Sequence, residues 1–475
     1  MIILEIIGGL LVLFLAAQIL GRLARFVWIP ILSSVIAGLV VGISNHSLWG
    51  GIGTGIAVLI VFGISSAIVG GNSPLHIIKD MEKRTFRYEK LKRCTCTLYM
   101  TETCNLNCVY CYEHIKGKDL MPLNIAQSGI KSTFERAKKE QIDYVEILFH
   151  GGEPFIAFQR IKDICEWLWA QEWPTKYICY ATTNGTLIHN EVKEWLMKNK
   201  ERFIVGLSLD GTREMHNRNR SNSYDKIDIP FFIENWPEQG VKMTPSPGTL
   251  KSLAEGVIHI HELGFSRNNC TFACGVAWDK DEFGKAIDYQ QILQEQLMKL
   301  AIYYLNHPNI LPVEMLNIKF IAVAAGINNM LDKLCGAGTI MRCWTPDGQC
   351  LPCHLFYEVS KEKGVKLDDI DLSSPCHLSD EQCKGCILET ICPTCYGGNY
   401  ITYGDISKRD PYTCIITKIR ALAGSWMIGQ MLETPEKYYA LKDFSNEELA
   451  MTAKGVIQTQ SFLEQTGFME ELQNG

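Results

Sequence analysis

The chain has 475 residues, a formal net charge of −6 and 21% charged residues. That length implies about two to four domains, and the lack of a basic excess speaks against a nucleic-acid binder. Its 19 cysteines fall mostly in two fields, five within 94–111 and ten within 335–414. The odd total and short spacings point away from secreted disulfides, toward a reducing compartment and metal ligands.

Residues 1–73 read as a transmembrane region. Ile2–Leu20 is apolar apart from Glu5 and Gln18, and no Lys, Arg, Asp or Glu occurs between Phe26 and Ile78. The polar stretch Ser44–Trp49 divides that run, giving spans at about 2–20, 26–43 and 50–69, each long enough to cross a bilayer as helix. Three runs are not the single run of a signal peptide. The positive-inside rule puts Arg22, Arg25, Lys79, Lys83 and Arg84 inside and Asn45–Trp49 outside. The expectation is a multi-pass plasma-membrane protein with its N-terminus outside and everything after residue 78 cytoplasmic.

After a basic linker at 74–92, strand-like and helix-like runs alternate through 93–300. Strands are expected at Thr95–Met100, Tyr144–Phe149, Tyr177–Thr182, Phe203–Leu209, Val241–Pro245 and Thr271–Ala277. Helices are expected between them at Leu123–Lys139, Phe158–Gln171, Asn190–Lys198 and Leu250–Leu263. Such alternation implies an α/β fold with a parallel sheet. Six units are too few to close an eight-fold barrel, so a partial (β/α)6 TIM-like barrel follows, with its chemistry at the C-terminal strand ends. Residues 301–334 read as a helical connection, 335–420 as a second cysteine-rich domain, and 421–475 as a helical tail with helices at Ala421–Met431, Ser445–Ala453 and Ser461–Leu472.

The informative motifs fall at strand ends. CNLNCVYC places Cys104, Cys108 and Cys111 after the first strand. Three thiolates can hold a [4Fe–4S] cube and leave one iron open. The alternatives are a buried cysteine loop or a zinc site completed from elsewhere. Gly151–Pro154 (GGEP) follows the second strand, Thr183 and Asn184 end the third, and Ser208 and Asp210 follow the fourth. A tight turn accounts for GGEP equally well, and a helix cap for Ser208 and Asp210; His150 reads as a strand-end histidine.

A C-x3-C-x2-C loop after the first strand, with Tyr110 before the last cysteine and GGEP after the second strand, resembles the radical S-adenosylmethionine (radical SAM) superfamily. The resemblance implies that S-adenosylmethionine chelates the open iron. The reduced cluster would then cleave it to a 5′-deoxyadenosyl radical, which takes hydrogen from an unactivated C–H bond. Gly151 and Gly152 would let the backbone approach this ligand, Glu153 would fix the methionine ammonium, and Tyr110 would pack on the adenine. Thr183, Asn184, Ser208 and Asp210 would meet ribose and methionine.

In the second field, Cys383, Cys386, Cys392 and Cys395 form C-x2-C-x5-C-x2-C, a strong metal signal that a zinc ribbon could also explain. With Cys414, Cys335 and the Gly348-x4-Cys353 spacing, the stretch resembles the SPASM extension of radical SAM peptide-modifying enzymes. One or two auxiliary [4Fe–4S] clusters are implied. Cys335, Cys343, Cys353 and Cys395 would hold the first, with Cys350 as the alternative to Cys343; Cys383, Cys386, Cys392 and Cys414 would hold the second. The last gap of the run is x2 where that family often has x3.

The resemblance implies two-electron oxidation of a peptide side chain. One related branch makes formylglycine in sulfatases, using an Asp after the cysteine that here is Cys353; His354 stands there instead. The other crosslinks ribosomally made precursor peptides through Cys sulfur to carbon, or carbon to carbon, and is the expected function. Expected partners are a small precursor peptide, an electron donor such as flavodoxin or ferredoxin, membrane lipid and an exporter, with no nucleic acid. A membrane iron–sulfur or zinc protein without catalysis is the remaining alternative. No catalytic side chain is singled out.

Overall fold

The computed structural model describes residues 92–114, 116–326, 336–364, 370, 372, 380–392 and 394–474. The expected membrane spans, the basic linker up to residue 91 and Cys335 lie outside these residues; among the described ones no helix is long and apolar enough to cross a membrane. The described residues up to 443 and those from 452 onward form one compact unit.

β1 (Arg93–Thr101) is buried along all but its first residue, as a strand covered on both faces must be. β2 (Tyr144–Gly151), β3 (Lys176–Thr183) and β4 (Phe203–Leu207) follow in parallel register, joined through α1 (Leu123–Glu140), α2 (Phe158–Trp169) and α3 (Asn190–Asn199). The helices turn apolar residues inward, among them Ile130, Phe134 and Ala137 on α1 and Ile161, Ile164 and Leu168 on α2. After β4 come α4 (Arg213–Asn219) and α5 (Ile229–Asn235). β5 (Val241–Met243) and β6 (Asn268–Cys270) form a further parallel pair around α6 (Leu253–Glu262). The Ser208–Lys242 bridge and a 2.9 Å bond from Leu209 N to the Lys242 carbonyl continue the curve from β4 to β5.

The sixth strand differs from expectation. It lies at Asn268–Cys270, and residues 271–277 form a loop. The run TFACGVA is apolar enough to read as strand, but Gly275 turns the chain there with φ 71°. The fifth strand stops before Pro245, which has no N–H for a ladder.

Beyond α7 (Tyr289–Asn306) and α8 (Phe320–Ala325), the cysteine-rich segment adds a feature that sequence patterning did not suggest. β7 (Met341–Trp344) pairs parallel with β1, and β8 (Cys350–Leu351) pairs antiparallel with β7, so one sheet runs β4-β3-β2-β1-β7-β8. α9 (Phe356–Lys363) and α10 (Tyr396–Tyr403) follow. α11 (Pro411–Met431), capped by Asp410 through Tyr412 N at 3.1 Å, packs along α7. The tail also differs: one helix, α12 (Asn446–Gln465), replaces the expected pair of helices, and α13 (Phe468–Asn474) follows Gly467 at φ 71°. Gly455 does not break α12. It lets the helix lie on the backbone, since a Cβ there would stand 1.9 Å from the Phe320 carbonyl oxygen.

Candidate functional site

The loop from the end of β1 carries Cys104, Cys108 and Cys111, all partly exposed. Burial raises the Cys104 thiol and pushes Cys108 up to about 11, and each of these two also feels Cys111. Donors already point at sulfur: Leu106 N lies 3.5 Å from Cys104 Sγ, and Lys116 Nζ 3.6 Å from Cys111 Sγ. Such donors stabilise thiolate, the ligand form of cysteine.

GGEP holds this loop from beneath. Gly152 N donates to the Thr101 carbonyl at 2.8 Å and Glu153 N to the Thr103 carbonyl at 3.0 Å. Gly151 has φ 131°, and a Cβ on Gly152 would stand 2.5 Å from the Thr103 carbonyl oxygen. The glycines therefore admit the cysteine loop itself. Glu153 is fully buried, and its carboxylate accepts from Thr183 Oγ1 at 2.7 Å, Asn184 N at 2.8 Å and Phe155 N at 3.1 Å. Burial raises its pKa, and those donors oppose the rise. Asn184 in turn donates to Asn105 Oδ1 at 2.9 Å, tying β3 to the cysteine loop.

Asp210 anchors the far side of the loop. It is wholly buried and takes four donors: Tyr110 Oη at 2.5 Å, Arg220 Nε at 2.9 Å, Asn219 Nδ2 at 3.2 Å and Thr244 N at 2.9 Å. The Arg220 guanidinium also lies 5.5 Å from the Tyr110 ring centre. Val109 N donates to the Asn219 carbonyl at 3.0 Å, so the end of α4 also grips the cysteine segment. Tyr110, Thr183, Asn184, Glu153 and Asp210 thus meet in one region, where their polar groups bond one another. Ser208 joins them through its backbone N–H on the Thr183 carbonyl at 2.9 Å. Sequence reasoning missed Asn105, Asn219 and Arg220. The run HNRNR offered basic residues, but nothing in its spacing pairs Arg220 with an aspartate ten residues earlier.

The second cysteine field sorts by face. In the β7–β8 hairpin Trp344 opposes Cys350 and Cys343 opposes Leu351, and opposed residues share a face. The Trp344 ring packs on Gly129 of α1, so Cys350 belongs to the helix face. Cys343 and Leu351 sit in one buried cluster with Tyr99, Cys353, Tyr357 and Tyr396. The structure thus groups Cys343, and not Cys350, with Cys353. Cys383, Cys386, Cys392 and Cys414 come together from two short 3-10 segments and the first turn of α11, each of Cys383, Cys386 and Cys392 raised by burial and by neighbouring thiols of the set. Cys395 caps α10, and a Cβ on Gly398 would lie 3.5 Å from its Sγ and 3.9 Å from the Cβ of Cys274, a cysteine that no motif had singled out. None of the described cysteines is in a disulfide.

Between the two fields lies an aromatic and acidic patch. His354 stacks on His150 with ring centres 4.0 Å apart, and burial depresses both imidazoles, His354 to about 4. Tyr99 stacks on Tyr357, whose hydroxyl donates to the buried Glu102 at 2.7 Å; Lys361 also pairs with Glu102. These contacts fasten the cysteine-rich segment to the end of β1.

Residues 98–229 match the Radical SAM superfamily. The chain contains a radical SAM domain. Over 131 residues it is 33% identical to the cysteine-type anaerobic sulfatase-maturating enzyme of Clostridium perfringens (strain 13 / Type A), covering 25% of this chain and 33% of that protein. Over 135 residues it is 32% identical to the antilisterial bacteriocin subtilosin biosynthesis protein AlbA of Bacillus subtilis (strain 168), covering 27% of each. The matched stretches span only about a third of these relatives, and the two differ in what they are named for, so the shared domain does not fix the substrate. The fold extends further: the structure titled "Native anSMEcpe with bound AdoMet" superposes with a TM-score of 0.55 at 19% identity, covering 71% of this chain and 99% of that one.

A radical SAM domain takes S-adenosylmethionine and a [4Fe–4S] cluster, and the residues present suit them. Among the described residues no three His, Cys, Asp or Glu side chains gather as ligands of a single metal ion. A cube does not ask for that, because each thiolate binds a different iron. Three thiols on one loop, two with donors at sulfur and the loop braced from β2, β3 and β4, are a fitting donor set.

Proposed function

We propose that this chain is a radical SAM peptide maturase, in which Cys104, Cys108 and Cys111 hold the cluster that binds S-adenosylmethionine. The group, when bound, supplies hydrogen-atom abstraction from an unactivated C–H bond. The chain's own part is to position and to exclude. Glu153, Asn184 and Asp210 hold the cysteine loop rigid, and the stacked rings of Tyr99 with Tyr357 and His150 with His354 pack beside it. We assign Cys383, Cys386, Cys392 and Cys414 to one auxiliary cluster and Cys335, Cys343, Cys353 and Cys395 to another, as acceptors for the electron released when a substrate radical becomes a closed-shell product.

The net reaction is oxidation of a ribosomally made precursor peptide, forming a thioether from Cys sulfur to carbon or a carbon–carbon crosslink. The observation that carries this over sulfatase maturation is His354. Where the sulfatase branch is expected to place a carboxylate, this chain packs the His354 imidazole against His150. The three apolar runs before residue 74 would hold the enzyme at the plasma membrane beside an exporter, its N-terminus outside, with flavodoxin or ferredoxin as electron donor.

The test is anaerobic co-expression of the full chain with a candidate peptide encoded beside its gene. A mass loss of two hydrogens per modified site, absent in Cys104→Ala, supports the reading. An unmodified peptide together with formylglycine in a co-expressed sulfatase would replace it by the sulfatase branch. Membrane fractionation with and without residues 1–78 tests the anchor: a full chain found in the soluble fraction would refute it.

A further inference from the structure

The loop after β6 ends in a short hairpin, residues 279–287, that has no part in the site described above. Lys280 and Ala286 pair antiparallel, Asp281 N donates to the Lys285 carbonyl at 2.8 Å, and Ile287 N donates to the Asp279 carbonyl at 2.9 Å. The Asp281 carboxylate accepts from Phe283 N and from Lys285 N, each at 2.9 Å, and Gly284 turns the chain with φ 76°. These bonds preset the turn, so a ligand meeting it need not pay for ordering. At its tip stands Phe283, 85% exposed.

The hairpin is fixed to the barrel on two sides. Tyr412 of α11 donates to Asp279 at 2.6 Å, and Glu282 pairs with Arg218 of α4. A Cβ on Gly248 would stand 2.8 Å from Glu282 Oε2 and 3.4 Å from Arg218 Nε, so the glycine leaves that pair its room. The next residue of α4, Asn219, accepts from Val109 N of the cysteine loop at 3.0 Å. One helix end therefore carries the hairpin on Arg218 and the cysteine loop on Asn219. Each presents an exposed apolar side chain, Val109 being 62% exposed. The cysteine loop, α4 and the hairpin follow β1, β4 and β6, whose C-terminal ends form the face where barrel chemistry gathers. Exposed apolar groups held beside such a site mark binding rather than folding. A peptide that brings one residue to the cysteine loop must cross this rim, which selects it as occupant over a second copy of the chain or a lipid surface.

We propose that the 279–287 hairpin is a docking arm for the precursor peptide, in which Phe283 seats an apolar side chain near the modified residue and Val109 continues the apolar rim on the cysteine loop. The arm binds and takes no part in cleaving S-adenosylmethionine. This inference rests on the reading that the chain acts on a precursor peptide.

The experiment uses the full chain, reconstituted anaerobically, with the candidate peptide of the co-expression test and phospholipid vesicles present. The photo-crosslinker p-benzoylphenylalanine takes the place of Phe283 in one protein and of Ile457 on α12, also exposed, in another. On illumination the peptide should crosslink at 283 and not at 457. Capture at 283 of a second copy of the chain or of lipid, and not of the peptide, would overturn the proposal, as would equal capture of the peptide at both positions or at neither. In kinetics, Phe283→Ala should raise KM for the peptide about tenfold with kcat little changed, and Phe283→Leu should recover most of the loss. Formation of 5′-deoxyadenosine without peptide should match wild type in both variants, which shows that they fold and load. Wild-type chain that modifies the peptide, with KM unchanged in Phe283→Ala, would remove this proposal alone. Wild-type chain that leaves the peptide unmodified would remove the peptide-maturase reading, and this proposal with it.

Discussion

Gly151 lies so close to Thr101 that a methyl group on its Cα would stand 2.4 Å from the Thr101 carbonyl oxygen, and its φ of 131° is one that alanine avoids. The first consequence concerns loading of the three-cysteine loop. Gly151→Ala should lift that loop off β2, at a cost of about 1–3 kcal/mol. Iron per chain after anaerobic reconstitution should fall, while a buried site far from the loop, such as Leu297→Ala on α7, should lower the melting temperature and spare the iron.

Asp210 and Arg220 form a buried pair. Asp210→Ala leaves Arg220 charged in the interior, a loss of about 3–5 kcal/mol. Adding Arg220→Met should restore part of that stability, because the orphaned charge goes with it. Urea denaturation of the three proteins measures both effects; equal stabilities for the single and double variants would contradict the account.

Glu153 is an acceptor for three donors and has none of its own to offer while ionised. Glu153→Gln places an amide N–H₂ against the Asn184 N–H at one oxygen position, or against the Phe155 N–H and Thr183 hydroxyl at the other, and should cost about 1–3 kcal/mol through the unsatisfied donor. Affinity for S-adenosylmethionine should drop with it, since Asn184 and Asn105 lose their registration on the cysteine loop. Equilibrium binding of S-adenosylmethionine to the loaded protein is the measurement, and unchanged affinity would count against the bracing role.

His216 carries a pH prediction. Burial first, and Arg220 second, lower its pKa to about 4. Its Nδ1 accepts from Asp210 N at 3.2 Å, and Nε2–H donates to Ser223 Oγ. The folded imidazole stays neutral while the unfolded one takes a proton near pH 6.5. Between those values the unfolded chain binds more protons, so stability is full above about pH 6.5 and falls as pH drops toward 4, by up to about 3 kcal/mol. His216→Asn should show a shallower decline between pH 7 and pH 5 than wild type in urea melts.

Much of this was legible in the sequence because the signals are local. Strand–helix alternation fixed β1 to β4 and their helices within a few residues, and the cysteine spacing located the loop. The later features depend on contacts between distant segments. The β7–β8 hairpin is six strand residues in all, too short for periodicity to reveal, and only its pairing with β1 defines it. Cys274 lacks any motif, and its meeting with Cys395 exists only once β6 and α10 are placed. The glycines of GGEP, expected to admit a ligand, also admit the Thr101–Thr103 backbone, which spacing cannot reveal. Glu153 and Asp210, expected to meet S-adenosylmethionine, also hold internal bonds, because a buried carboxylate takes the donors nearest to it.

The most direct test of the central claim is 5′-deoxyadenosine formation by the full chain, reconstituted anaerobically and given S-adenosylmethionine and dithionite. The account predicts that the nucleoside accumulates with wild-type protein and is lost in Cys108→Ala. Iron-loaded wild-type protein that forms none, or a Cys108→Ala protein that forms as much as wild type, would contradict it.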